Sequence, residues 1–253
     1  MDIDRIIQEV TGEVYQQQKI AQDNYIPMDC GFPMLDIIPK MEHSLLNADI
    51  TRVKILEECA KARKYGVGAV CVSPYYTVDA AKALQGSDTA VCSAVGFPQA
   101  AMSFKAKVAD IKDCLFAGAT EIDFAINILA VKSGDFDVVR REISEIVEMT
   151  RYKALAKAVF DQGAYNDTEK REVLTIAAEC GVDMVKIQNV FVKKAACVED
   201  VAYVRKIIGP KIGIKIDGGV KTKELARDLI AAGATRVGLT ATIDIAEDIL
   251  NTK

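Results

Sequence analysis

Tryptophan is absent from this 253-residue chain, and histidine occurs once, at His43. A lone histidine argues against a Ser-His-Asp triad and against a multi-histidine metal centre. The seven cysteines (Cys30, Cys59, Cys71, Cys92, Cys114, Cys180 and Cys197) are odd in number and contain no CxxC pair. Neither a zinc site nor a disulfide framework is therefore expected, and reduced, buried thiols in a cytoplasmic protein are the simplest reading. No apolar run reaches the roughly 18–20 residues of a membrane span. The opening MDIDRIIQEVTGEVYQQQK reads as a polar helix without a signal-peptide core. A formal charge of −4 supplies no basic field for nucleic acid or an anionic membrane. GxGxxG and GxxxxGK[ST] are both missing, which weakens the case for a doubly wound nucleotide-binding sheet. No Gly-, Ser- or Pro-rich linker divides the chain.

What is present is alternation. Short β-rich runs (PKMEHSLL, GAVCVSP, AVCSAVGF, EIDFAIN, AKAVFDQ, DMVKIQN, IGIKIDGG and RVGLTAT) are separated by helical stretches such as VKILEECAKARKYG, FKAKVADIKDCLFAG, FDVVRREISEIVEMT, TEKREVLTIAAECG and TKELARDLIAAG. Gly66, Gly118, Gly181 and Gly233 close helices, and Thr51 and Thr168 read as N-caps. Eight strand–helix units in a chain of this length predict an α/β fold, a TIM (β/α)8 barrel. The expected division is a helix and lead-in over residues 1–35 and one barrel over residues 36–253.

Period-2 alternation assigns the strand faces. Ile212, Ile214 and Ile216 should meet the outer helices, leaving Lys215 and Asp217 inward. Val185 and Ile187 face outward, leaving Met184, Lys186 and Gln188 inward. Ile122, Phe124 and Ile126 face outward, leaving Asp123, Ala125 and Asn127 inward. Lys186 and Lys215 thus come from neighbouring strands, about 4.8 Å apart, near the ends where barrel active sites lie. A second ammonium depresses the pKa of the first. A neutral amine can attack a carbonyl to form a Schiff base, and Asp123 can relay protons through water. A single inward lysine is more often one half of a structural charge pair; two lysines and an acid at strand ends shift the balance toward catalysis. Lys157, at the start of its strand, reads as a structural charge, His43 as a structural strand-end residue, and Asp161 as a pocket-lining candidate.

At these residues the chain resembles the deoxyribose-phosphate aldolase family, class I aldolases on a TIM barrel. The likeness runs through MEHSLLNADIT, GAVCVSPYY, VGFPQA and EIDFAINILAVKSGDF, in order, over nearly everything after about position 40. It implies Lys186 as the Schiff-base lysine, Lys215 as the lysine that lowers its pKa, and Asp123 as the acid of the proton relay. Glu42 stands where the family usually has Asp, in support of that relay, and Cys71 faces the interior. The implied reaction is reversible cleavage of 2-deoxyribose 5-phosphate to glyceraldehyde 3-phosphate and acetaldehyde, with no cofactor and no metal. The implied partner is a small-molecule sugar or aldehyde, and the implied state is a homo-oligomer, a dimer or tetramer.

The likeness breaks where the family holds phosphate. Ile187-Gln188-Asn189-Val190 replaces the usual Thr-Ser-Thr-Gly, Asp217 replaces a small residue before Gly218-Gly219, and Gly238-Leu239-Thr240-Ala241 keeps one hydroxyl, Thr240, of the eighth-strand pattern. A carboxylate a few ångström from a phosphate repels it by about 1 kcal/mol in water and by several in a drier site. Lys221 and the two glycines favour an anion instead. The expected substrate-binding set is therefore Gln188, Asn189, Asp217, Gly218, Gly219, Lys221, Gly238, Thr240, Glu42 and Cys71. Two alternatives stand next to the deoxyribose-phosphate aldolase: a related Schiff-base aldolase for an unphosphorylated or different sugar, and a silent barrel that binds a sugar or a partner.

Overall fold

The computed structural model describes residues 31–98, 100–191 and 194–251; the helix expected at the N-terminus lies outside them. Eight parallel strands close into a barrel in sequence order. They are β1 (Met41–Leu45), β2 (Ala69–Val72), β3 (Ala90–Val95), β4 (Glu121–Ala125), β5 (Leu155–Asp161), β6 (Met184–Gln188), β7 (Gly213–Asp217) and β8 (Arg236–Leu239). Seven lie within a predicted run and β5 starts one residue before its run, at Leu155; β1 pairs with β8 to complete the ring. The surrounding helices are α1 (Arg52–Tyr65), α2 (Thr77–Leu84), α3 (Phe104–Phe116), α4 (Ile128–Lys132), α5 (Phe136–Thr150), α6 (Asp167–Glu179), α7 (Val198–Ile208), α8 (Lys223–Ala231) and α9 (Thr242–Asn251).

Strand alternation separates two interiors. Val70, Val72, Ile122, Phe124, Phe160, Val185, Ile187, Ile214, Ile216 and Val237 point outward and join one continuous apolar core with the helices. Burying such side chains contributes about 1.5–3 kcal/mol each, before the opposing chain entropy. That layer frees the barrel axis for polar groups.

Local signals set most boundaries. Thr51 caps α1, its side chain accepting from the Lys54 amide. Gly66, Gly118, Gly181 and Gly233 all adopt positive φ just past helix ends. Thr168 is not a cap: Asn166 caps α6 in a reciprocal box with Glu169 and leaves Thr168 inside the first turn. Asn127 also departs from its expected inward position. It lies beyond β4, caps α4 and donates to Glu142 at 3.0 Å. Lys107 meets the same carboxylate at 3.0 Å and the Ala125 carbonyl at 3.1 Å, fastening α3 and α5 to the end of β4.

Candidate active site

Register brings the charged residues together. Lys186 on β6 is the direct neighbour of Lys215 on β7, and Asp123 on β4 is the neighbour of Lys157 on β5. Asp123 sits among all three amines: its carboxylate is 2.9 Å from Lys186 Nζ, 2.6 Å from Lys215 Nζ and 3.0 Å from Lys157 Nζ. Glu42 reaches in from β1 to pair with Lys215 and, at 3.0 Å, with Lys157. Lys157 also meets Glu121 at 2.6 Å, and Arg236 pairs with Glu121 at 2.9 Å and with Glu42 at 3.5 Å. Lys157 is therefore a structural charge, as expected, but one inside the central network. Glu121 and Arg236 went unnoticed in the sequence. The signal was there, since Glu121 stands two residues before Asp123 on the same strand face.

These charges survive burial because they are paired. Burial pushes the Asp123 carboxyl up, yet the three lysines hold it well below the usual carboxylate range. Burial acts likewise on Glu42, and Lys157 and Lys215 lower it to about 2. Burial pulls Lys186 down and Lys215 does the same, but Asp123 and Asp217 outweigh both and leave the Lys186 ammonium above its ordinary value. Lys215 thus acts in the direction expected of it without deciding the result. At rest these shifts favour an ionised Asp123 and a protonated Lys186.

Asp217 is the other acid at Lys186. Its Oδ2 lies 2.8 Å from Lys186 Nζ and 3.7 Å from Lys215 Nζ. Gly238 is its neighbour on β8, and the carboxylate fills the volume that a Gly238 side chain would need. Lys186 Nζ also stands 5.3 Å from the centre of the Phe97 ring, within cation–π range.

A cavity of about 500 Å³ opens above Lys186 at the C-terminal ends of the strands. Eight of the ten expected substrate-binding residues line it: Gln188, Asn189, Asp217, Gly218, Gly219, Lys221, Gly238 and Thr240. Glu42 and Cys71 do not. Both are fully buried beneath it, Glu42 bound to lysines and Cys71 Sγ 4.0 Å from Asp123. Asp161 does not line it either, because its carboxylate is used locally, accepting from the Gly163 and Val190 amides at 2.9 Å each and so tying β5 to the loop after β6. His43 faces the helix layer and meets Glu58 at 2.9 Å. Ser44 and Lys194 line the cavity and were not anticipated; Ser44 follows Glu42 by two residues on β1, so the same alternation would have pointed to it, whereas Lys194 lies in the loop after β6. Another depression of about 530 Å³, around Thr120, Arg151 and Asp183, lies at the opposite end of the barrel, away from the lysines.

Glu42, Cys71, Cys92 and Asp123 place four possible metal-ligand atoms within 4.8 Å of one another. Their chemistry fits lysine better than a metal. The two carboxylates already bind ammonium groups, and burial pushes the Cys92 thiol well up, favouring the protonated form.

Two neighbouring lysines sharing an ionised acid beneath an open cavity are parts that imine chemistry can use. No family model matches the chain, but individual proteins do. It is 38% identical over 212 residues to a deoxyribose-phosphate aldolase of Geobacillus sp. (strain WCH70), covering 84% of this chain and 95% of the relative. It is 36% identical over 211 residues to one of Bacillus cereus (strain AH820), covering 83% and 95%. Among solved structures it is similar to QR15, an aldolase, with a TM-score of 0.80 and 29% identity over 85% of this chain and 96% of that one. The tetrameric deoxyribose phosphate aldolase of Aeropyrum pernix shares the fold, with a TM-score of 0.78 and 23% identity over 87% and 93%. On this identity and coverage, and with its closed eight-stranded barrel, the chain belongs to the deoxyribose-phosphate aldolase family.

Proposed function

We propose that the protein is a class I aldolase that cleaves or forms 2-deoxyribose 5-phosphate or a related deoxy-sugar through a Schiff base on Lys186. The observation that carries this reading is the convergence of Lys186, Lys215 and Asp123 within 3 Å contacts at the floor of the cavity. The Lys186 amine, once deprotonated, attacks the sugar aldehyde and expels water to give an iminium. Electrons of the C2–C3 bond flow into the iminium as the C3 hydroxyl loses its proton and becomes the aldehyde of the leaving fragment. The enamine left on Lys186 takes a proton at carbon, and hydrolysis releases acetaldehyde. Asp123, ionised, is the acceptor of the relay, and Lys215, held protonated by Asp123, Asp217 and Glu42 against burial, is its donor. Water between them carries the proton.

The proposal takes residues 36–253 as the barrel and residues 1–35 as its lead-in, and includes a cytoplasmic, homo-oligomeric enzyme with a sugar or aldehyde as its partner. No described helix is long and apolar enough to cross a membrane. The six described cysteines are unbonded, which agrees with a reducing compartment.

Reduction with borohydride in the presence of acetaldehyde tests the reading. Peptide mass spectrometry should find an ethyl adduct on Lys186 and none in Lys186→Ala. A folded enzyme that acquires no adduct at Lys186 would defeat it.

A further inference from the structure

Aldol cleavage at Lys186, on the reading above, leaves the acceptor aldehyde in the cavity beyond the nucleophile. We infer that this acceptor is a neutral, hydroxyl-bearing aldehyde rather than a phosphate ester, and that Asp217 sets the preference.

Charge is the first ground. The buried cluster pairs four cations, Lys157, Lys186, Lys215 and Arg236, with four anions, Glu42, Glu121, Asp123 and Asp217. Asp217 is the anion among them that lines the cavity. Without it the cluster would present one uncompensated positive charge to the bound acceptor; with it that charge is cancelled where the chain runs into Gly218 and Gly219. Lys194 lines the same cavity, but its ammonium is held by Asp200 at 2.7 Å. Lys221 stands exposed on the rim, where water and salt screen it.

Hydrogen-bonding character is the second. Asp217 Oδ1, Asn189 Oδ1, Ser44 Oγ and Gln188 Nε2 are buried atoms of cavity-lining residues without a hydrogen-bond partner among the described residues; the first three can accept and Gln188 Nε2 donates. A carboxylate oxygen and an amide oxygen only accept, and a serine hydroxyl can accept. A sugar hydroxyl both donates and accepts and so can satisfy the whole set, whereas a phosphate dianion, which only accepts, can answer Gln188 Nε2 but leaves Asp217 Oδ1 and Asn189 Oδ1 without a donor. A site that leaves buried polar atoms unpaired with the wrong ligand discriminates strongly against it. The third ground is steric. The Asp217 carboxylate occupies the volume Gly238 leaves open, so that space is not available to a phosphate group.

One assay measures both candidates, because 2-deoxyribose and 2-deoxyribose 5-phosphate release the same acetaldehyde, read by coupled reduction with NADH and alcohol dehydrogenase. The full-length enzyme should show a kcat/KM for the free sugar at least equal to that for its 5-phosphate. Asp217→Asn and Asp217→Ser should shift the ratio tenfold or more toward the phosphate ester. Both substrates use the same lysine, so an altered Lys186 titration cancels from the ratio. A higher kcat/KM on the 5-phosphate in the unmodified enzyme, or a ratio unmoved in folded variants, overturns the inference. So does turnover of neither sugar by an enzyme that forms the acetaldehyde adduct on Lys186. Absence of the adduct defeats instead the Schiff-base reading beneath it.

Discussion

At the residue scale, the proposed chemistry turns on how much negative charge surrounds Lys186. Only the neutral amine attacks a carbonyl, so imine formation rises as pH climbs through the Lys186 pKa. Burial and Lys215 lower that value while Asp123 and Asp217 raise it, and the acids win. Removing one of them must therefore move the rising limb to lower pH. Asp217→Asn should increase the rate of cyanoborohydride trapping with acetaldehyde at pH 7–8, about tenfold for each unit the limb moves. Identical limbs in the two proteins would mean that Asp217 does not hold the Lys186 proton. Alternation along β4, β6 and β7 was enough to turn Asp123, Lys186 and Lys215 inward. It did not reveal which acid meets which amine: Lys215 and Glu42 lie on strands at opposite ends of the chain, and their contact exists only once β8 closes on β1.

At the scale of elements, all eight strands were readable from short apolar runs bounded by turn signals, six of them with β-branched residues on the outward face; β1 has Met41 and Leu45 there and β5 has Ala156, Ala158 and Phe160. Helix starts were harder. Asn166 and Thr168 are both good caps by composition, and only the reciprocal contact with Glu169 decides for Asn166. Asn127 was misassigned because strand alternation was extended two residues past the end of β4, into the cap of α4. Glycines also play roles that sequence does not separate. Gly68 precedes β2 where a Cβ would overlap the Pro39 carbonyl, whereas Gly181 has open space but a φ of +74°. Gly181→Ala should cost about 1 kcal/mol, the conformational term alone. Gly68→Ala must displace backbone and should cost more, about 1–3 kcal/mol or above. Urea unfolding midpoints compare them directly, and an equal loss in both would contradict the close approach at Pro39.

At the scale of the whole molecule, a balanced ion cluster replaces apolar packing along the barrel axis, and it makes stability depend on acid. Glu42 is fully buried, and its carboxyl is lowered from 4.5 to about 2 by Lys157 and Lys215 acting against desolvation. A folded-state value below the unfolded one means that the native state resists protonation. The stabilisation is complete above the unfolded value of 4.5 and is lost as pH falls toward and through about 2. For this one group the loss is on the order of 3 kcal/mol, and Asp123, also held low, adds in the same direction. Equilibrium urea unfolding between pH 6 and pH 2 should therefore show stability nearly flat above pH 5 and falling steeply below 4.5. Glu42→Gln should be less stable at neutral pH, by about 3–5 kcal/mol, because Lys157 and Lys215 lose a buried partner. It should also fall less steeply with acid, because one of the groups that must take up a proton is gone. A variant as steep as the parent below pH 4.5 would place the acid sensitivity elsewhere than in the charges along the barrel axis.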